Sequence, residues 1–198
     1  MIINNQNITL LVLDIDETLI YSTKEKLDRE PDFKIENYFV YKRPYLDEFI
    51  DQINKSYKIG IWSSASDDYV TEIVKQIIPS SIQLEFIWGR SRCVYRRNFH
   101  RDEKRYVSTN HSSHYNYIKP LKKLKRKGFK LDRILIIDDT PHKSQDNYGN
   151  AIYPSEYKGN LNDNELIQLS KYLDTLKDKT DVRNIEKRTW RDIAKKKK

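Results

Sequence analysis

Asp14 and Asp16 stand two residues apart, directly after the apolar run Leu10-Leu11-Val12-Leu13, with Thr18 two residues further on. Two carboxylates at that spacing can divide a phosphoryl transfer between them. One must meet phosphorus in line and be ionised to form an aspartyl-phosphate. The other must give a proton to the leaving oxygen and later take one from water, which favours a raised pKa. Like charges held close push one pKa upward, so the arrangement can supply both protonation states, although the titration then belongs to the pair. Backbone N–H groups at Ile15 and Asp16 can hold phosphate oxygens. The same D-x-D-x-T spacing also serves as a plain cap of a strand-to-helix turn, and other segments must decide between the two.

The elements that position these acids are readable. Leu10 to Leu13 has no polar alternation, which suits a strand buried on both faces of a parallel sheet. In such sheets ligands sit in the crevice at the carboxyl ends of the strands. Tyr57 to Trp62 reads as a second buried strand and runs into Ser63-Ser64-Ala65-Ser66, a small hydroxylated loop in which Ser63 and neighbouring N–H groups can bind phosphate. Arg133 to Ile137 reads as a third, ending in Asp138-Asp139-Thr140-Pro141. Adjacent acids at a strand's end are hard oxygen ligands suited to Mg²⁺, which neutralises phosphate charge. Pro120 fits a first helical turn and places Lys119 at its start, where a lysine can steady both a carboxylate and phosphoryl oxygens.

These residues, in this order, resemble the four motifs of the haloacid dehalogenase superfamily of phosphatases. Five segments narrow the resemblance: Asp14-Ile15-Asp16-Glu17-Thr18-Leu19-Ile20, Lys42-Arg43-Pro44, Trp62-Ser63-Ser64-Ala65-Ser66, Arg90-Ser91-Arg92-Cys93-Val94-Tyr95 and Ile136-Ile137-Asp138-Asp139-Thr140-Pro141. Together they look like the branch that dephosphorylates the RNA polymerase II C-terminal repeat, over nearly the whole chain from Leu10 to about Leu176. The resemblance implies Asp14 as nucleophile, Asp16 as acid/base, and Thr18 supporting their loop by hydrogen bonding. It makes Ser63 the hydroxyl of the second motif and Lys119 the lysine of the third. Asp139 becomes the direct Mg²⁺ ligand beside Asp14 and the main-chain carbonyl of Asp16, with Asp138 an outer ligand or an orienting acid. Two departures stand out. The stretch from Lys119 to Asp138 is a few residues longer than in small members of the branch, so Lys122 and Lys123 are alternatives to Lys119. At Arg90-Ser91-Arg92-Cys93 an acid of the small enzymes is replaced by a residue without negative charge, which bears on substrate preference more than on chemistry.

Around these motifs, strands alternate with helices, so the expected fold is α/β with a doubly wound parallel sheet. Helices are expected from Tyr45 to Lys55 and from Asp67 to Ile78, further strands at Ile82 to Trp88 and Asn150 to Tyr153. Asn162-Asp163-Asn164-Glu165 resembles a helix cap with its reciprocal acid. Phe33 to Tyr41 alternates about a polar pair and reads as a hairpin able to overhang the site or to cover a sheet edge. About residues 90–117 the chain is basic, aromatic and polar, a small insertion. Ser64, Arg90, Arg92 and Phe33 are the expected substrate contacts, against the alternative of an ordinary surface over a small core.

The 198 residues suit one domain, taken as 1–180, followed by a basic helix or tail at 181–198. Only 37% of residues are hydrophobic and the mean hydropathy is -0.84, so the core must be confined to the strands and one face of each helix. No run approaches a membrane span, and the polar opening lacks a signal peptide's basic-then-apolar order, so the expectation is an intracellular protein, cytoplasmic or nuclear, without membrane contact. The single cysteine, Cys93, fits a reducing compartment as a buried, inert thiol. A net charge of +8 favours polyanionic partners, but much of the excess lies in Lys122 to Lys130 and Lys195 to Lys198, where solvated faces are common. His111 and His114 lack the further ligands of a zinc site, and His100 and His142 carry no assignment. The substrate expected from all this is a phosphoserine or phosphothreonine protein; the alternatives are a phosphorylated nucleic-acid end, or a scaffold that binds phosphoprotein without turnover.

Overall fold

The structure, a computed structural model, describes residues 8–97, 101–102, 105–106 and 115–196. His100, His111, His114, Lys197 and Lys198 lie outside the described residues. Five parallel strands form the central sheet: β1 (Leu10–Leu13), β5 (Lys58–Trp62), β6 (Leu84–Trp88), β11 (Ile134–Ile137) and β12 (Ala151–Ile152). Their spatial order is β12-β11-β1-β5-β6. The chain moves outward from β1 to β5 and β6, then returns to the other side of β1, so the winding reverses between β1 and β11. Ligands of open α/β sheets bind at that reversal, outside the carboxyl ends. Register places Leu13 opposite both Ile137 and Ile61, so the residues that follow these strands emerge side by side.

The unbroken aliphatic runs are explained by burial on both faces. Leu11, Leu13, Ile59, Ile61, Leu135 and Ile137 face one core cluster; Leu10, Val12, Trp62, Ile134 and Ile136 face the other. The first cluster is covered by α1 (Leu46–Asn54), α2 (Asp67–Ile77), α3 (Glu165–Asp174) and α4 (Trp190–Lys196). Leu46, Phe49, Ile50 and Ile53 form the buried face of α1, the helical spacing read from the sequence. The second cluster is capped by Leu121 and Leu124 of a 3₁₀ segment, Leu121–Lys127. A helix was expected to start there; Lys122 and Arg126, like Lys123 and Lys127, repel at i,i+4, and Gly128 at φ 87 ends the segment.

A three-stranded antiparallel sheet follows the first motif: β2 (Ile20–Thr23), β4 (Tyr38–Lys42) and β3 (Phe33–Ile35), in the order β2-β4-β3. The hairpin is therefore β3 and β4, and β2 is a third strand that the sequence reading lacked. In the insertion β7 (Val94–Arg97) pairs with β10 (Tyr115–Ile118), and the short β8 (Arg101–Asp102) pairs with β9 (Arg105–Tyr106). β10 ends one residue before Lys119. The expected reciprocal cap of α3 does not form: Asn164 makes no side-chain cap bond, and the Glu165 carboxylate instead accepts from the Ser155 N–H at 2.7 Å and from Arg191 of α4. Val182, Trp190 and Ala194, in the segment set apart as 181–198, belong to the main core cluster. No helix among the described residues is long and apolar enough to cross a membrane.

Candidate active site

The β1 and β11 ends converge on one cluster of acids. Asp14 continues β1, its N–H donating to Ile137 O at 2.9 Å. Both its carboxylate oxygens meet ammonium groups: Lys119 Nζ lies 2.6 Å from Oδ1 and Lys143 Nζ 3.5 Å from Oδ2. Lys119 Nζ also donates to Asp138 Oδ2 at 2.7 Å, and Lys143 Nζ stands 3.9 Å from Asp138 Oδ1. Two lysines and two aspartates thus alternate in a ring. Burial pushes the Asp14 carboxyl up, but Lys119 and Lys143 more than offset it and leave it below the usual aspartate value. Burial and the charge of Asp14 push Asp138 up against the pull of Lys119. For Lys119, burial pulls down but Asp138 and Asp14 outweigh it, so it stays charged with its side chain sealed from water.

Asp16 has different surroundings. Tyr69 Oη donates to Asp16 Oδ1 at 2.7 Å, and Ser63 Oγ donates to Oδ2 at 3.4 Å while accepting from the Ala65 N–H at 3.0 Å. Burial pushes the Asp16 carboxyl up; the Tyr69 hydrogen bond opposes this and the charge of Asp14 adds to it, with a net rise. Adjacent acids are therefore biased in opposite directions, Asp14 to the charged form and Asp16 to the protonated one. Burial and then Asp16, Asp139 and Asp14 push Glu17, next in the turn, up to about 7.

The turn itself is held from behind. Glu17 sits at φ 58, in the left-handed region, with its N–H on Ile20 O at 2.8 Å and its O accepting from the Tyr157 N–H at 2.7 Å. Arg43, buried, donates to Thr18 O at 2.9 Å and pairs through Nε and Nη2 with Asp163 at 2.9 and 2.8 Å. Thr18 Oγ1 donates to Asp139 Oδ1 and accepts from the Asp139 N–H, each at 3.2 Å, and so ties the two motif loops together. Thr140 contributes its N–H to Asp138 Oδ1 and its hydroxyl to Asp139 Oδ2, both at 3.0 Å.

Asp14, Asp138 and Asp139 offer carboxylate oxygens that all lie within 4.8 Å of one another. Such a set of hard oxygen donors fits a divalent cation. All three have both oxygens engaged, but Asp138 is sealed between Lys119 and the Thr140 N–H, whereas Asp139 is held on both oxygens by the hydroxyls of Thr18 and Thr140, and Asp14 has one oxygen held only by the 3.5 Å contact of Lys143. Asp14 and the half-buried Asp139 are better placed as ligands.

Asp14, Asp16, Thr18, Ser63, Lys119, Asp138 and Asp139 are thus brought together. Lys122 and Lys123 do not replace Lys119: Lys122 is exposed and Lys123 Nζ donates to Arg92 O at 2.7 Å. The expected substrate contacts lie elsewhere in character. Arg90 Nε donates to Ser64 O at 2.8 Å and its guanidinium stands over the Tyr117 ring, while Arg92 stands over Trp88. Phe33 is partly buried and packs against the main core. Cys93 is half-buried, its thiol pushed up by burial, as an inert thiol requires. Sequence reading missed Lys143 and Tyr69. Tyr69 had a signal, because a tyrosine in the first turn of α2 follows the Ser63 loop and faces the carboxyl end of the sheet.

The sequence is similar to nuclear envelope morphology protein 1 of Saccharomyces cerevisiae, 29% identical over 207 residues covering 93% of this chain and 42% of that protein. It is 28% identical over 183 residues to CTD small phosphatase-like protein 2 of Dictyostelium discoideum, covering 87% of this chain and 28% of that one. The human carboxy-terminal domain RNA polymerase II polypeptide A small phosphatase 1 is 25% identical over 185 residues, covering 88% of this chain and 62% of that protein. The fold matches the structure of Fcp1, an RNA polymerase II CTD phosphatase, with a TM-score of 0.54 at 15% identity, over 96% of this chain and 49% of that one. The chain spans less than two thirds of the length of each. Residues 9–183 match the model of the NLI interacting factor-like phosphatases, and the chain belongs to that family.

Proposed function

We propose that this chain is a Mg²⁺-dependent phosphomonoesterase that works through an aspartyl-phosphate on Asp14 and acts on phosphoserine or phosphothreonine in proteins. The observation that carries the reading is the geometry at the reversal of the sheet, where Asp14 is held by Lys119 at 2.6 Å and Asp16, two residues on, is held by Tyr69 and Ser63 at 2.7 and 3.4 Å. An Asp14 carboxylate oxygen forms a bond to phosphorus as the bond from phosphorus to the seryl oxygen breaks. The Asp16 carboxyl gives its proton to that leaving oxygen, and the alcohol departs. Asp16, now a carboxylate, takes a proton from water as the water oxygen attacks phosphorus, releasing phosphate and restoring both acids.

Tyr69 and Ser63 hold the Asp16 carboxyl by its two oxygens and so fix its orientation. Lys119 fixes the rotamer of Asp14 and keeps it ionised. Asp138 positions Lys119, and Thr18 positions Asp139. Asp14, Asp139 and the main-chain carbonyl of Asp16 would hold Mg²⁺, which when bound lowers the repulsion between Asp14 and the phosphoryl oxygens. The names of the relatives, with their reference to the polymerase C-terminal domain, support an extended phosphopeptide as substrate. The lone cysteine supports an intracellular setting.

The test is a panel of phosphopeptides, phosphorylated oligonucleotide ends and sugar phosphates assayed with Mg²⁺, with and without chelator. Phosphopeptides should turn over fastest and chelation should silence the enzyme. Asp14→Asn should cost at least about 10³-fold in kcat on every substrate, because an amide cannot form the acyl-phosphate. Near wild-type rates for Asp14→Asn would discard the covalent route. Preference for oligonucleotide ends, with steep salt dependence, would move the substrate to nucleic acid. Binding of phosphopeptide with no turnover of any ester would make the chain a scaffold.

A further inference from the structure

Lys143 stands in the 3₁₀ segment Pro141–Asn150, outside the four motifs, yet it reaches the nucleophile. Its backbone is locked to the motif lysine: the Lys119 N–H donates to Lys143 O at 2.8 Å, so the two ammonium groups are carried by hydrogen-bonded neighbours. They approach Asp14 from different oxygens and with different commitment. Lys119 makes contacts of 2.6 and 2.7 Å to Asp14 and Asp138, with no exposed side-chain surface. Lys143 makes longer contacts, 3.5 and 3.9 Å, to the same two residues, and 16% of its side chain remains exposed. A lysine has three N–H donors. Two of those of Lys119 are engaged by buried carboxylates at short range. Those of Lys143 are loosely held at the solvent side of Asp14, where a phosphate must arrive.

We propose that Lys143 is a phosphate-binding residue of this site, a second cation beside Lys119 that turns to contact the non-bridging phosphoryl oxygens. This rests on the phosphatase reading above and adds a residue to it. Four acids surround the site, Asp14, Asp16, Asp138 and Asp139, against two ammonium groups, so an incoming dianion needs a positive group that is free to turn toward it. Lys143 fits that need because giving up a 3.5 Å contact costs less than giving up one of 2.6 Å. Its flexible four-carbon stem allows the turn, and Lys suits a point contact to phosphate.

The experiment titrates inorganic phosphate in the presence of Mg²⁺ by calorimetry into the wild-type protein, Lys143→Met and Lys143→Arg, alongside kcat/KM for an aryl phosphate and the melting temperature. Lys143→Met should weaken phosphate binding about 10-fold, the scale of one charge-assisted hydrogen bond, and lower kcat/KM at least as much. Lys143→Arg should recover most of the binding. Phosphate binding by Lys143→Met equal to wild type overturns the proposal. So does a lowered melting temperature and rate in Lys143→Met with phosphate affinity intact, since that marks a structural role. If Lys143→Met does not fold, Lys143→Arg decides by whether phosphate affinity stays within about threefold of wild type. The two readings separate cleanly: ester hydrolysis with Lys143-independent phosphate binding removes this inference only, and Lys143-dependent phosphate binding without hydrolysis removes the phosphatase reading only.

Discussion

Lys119–Asp14 and Arg96–Asp146 are ion pairs of nearly equal length, 2.6 and 2.8 Å, in opposite surroundings. The first has side chains 0% and 1% exposed, at the floor of the crevice; the second has side chains 48% and 37% exposed, on the insertion's rim. Distance alone does not rank them. At the floor no water can replace a lost partner, so each charge must be answered by a residue and the geometry is fixed. At the rim water offers an equal alternative and the pair is held weakly. Side chains at the floor are therefore held in one geometry, while those at the rim tolerate change.

The largest effect that can break this comparison is Lys119→Met. It leaves Asp14 and Asp138 with only the longer contacts of Lys143, at 3.5 and 3.9 Å, and should cost roughly 3 kcal/mol of stability at neutral pH, read from a urea midpoint, together with nearly all activity. Adding Asp138→Asn should return a good part of the stability but not the activity. Arg96→Ala should stay within about 0.5 kcal/mol of wild type. Equal costs for Lys119→Met and Arg96→Ala would mean that burial does not separate floor from rim.

Glu17 lies between the two settings, partly exposed at the edge of the acid cluster, and sharpens the comparison through pH. Its carboxyl is raised in the folded chain, from 4.5 to about 7, by burial and by three neighbouring acids. A raised carboxyl binds its proton more tightly in the folded state, so its contribution favours folding at low pH. That contribution is lost as pH rises from about 4.5 through about 7. Glu17→Gln, measured in chelator, should therefore be more stable than wild type at pH 8, by about 1 kcal/mol once exposure is discounted, with no gain left near pH 4. A gain of the same size at pH 4 would place its origin in packing.

The floor was legible in the sequence to the extent that its parts are local. β1, β5 and β11 are aliphatic runs without polar alternation, and the acids and hydroxyl that follow each are adjacent to those runs. Register then aligns the strand ends, so reading three ends amounted to reading one site. What escaped depends on distance in the chain. Arg43 finds Asp163 120 residues away, and Glu165 answers Arg191 rather than its own helix end. Lys143 sits in a segment whose φ/ψ break at Asn147 leaves no periodicity to read. β2 is four residues long, directly after the first motif, and becomes a strand only because β4 lies beside it. The rim was legible as basic and aromatic, but its residues turned out to be engaged with one another, as Arg90 is with Tyr117.

The smallest effect tests whether that rim still reads substrate. Arg90 is exposed, yet its guanidinium is already ordered by the Ser64 carbonyl and the Tyr117 ring, so little side-chain entropy remains to be lost when an anionic or carbonyl group of a peptide approaches. Its backbone N–H bond to Ala65 O does not depend on the side chain, and the Ser63 loop keeps that anchor in Arg90→Ala. Arg90→Ala should raise KM for a phosphopeptide about threefold with kcat nearly unchanged, the pattern of lost remote binding. The effect should shrink at high salt, because the contact is exposed and screened. Hydrolysis of a small aryl phosphate, which cannot reach the rim, should not change. An equal loss on both substrates would show that Arg90 acts through the Ser63 loop, and would move it from the rim to the supports of the floor.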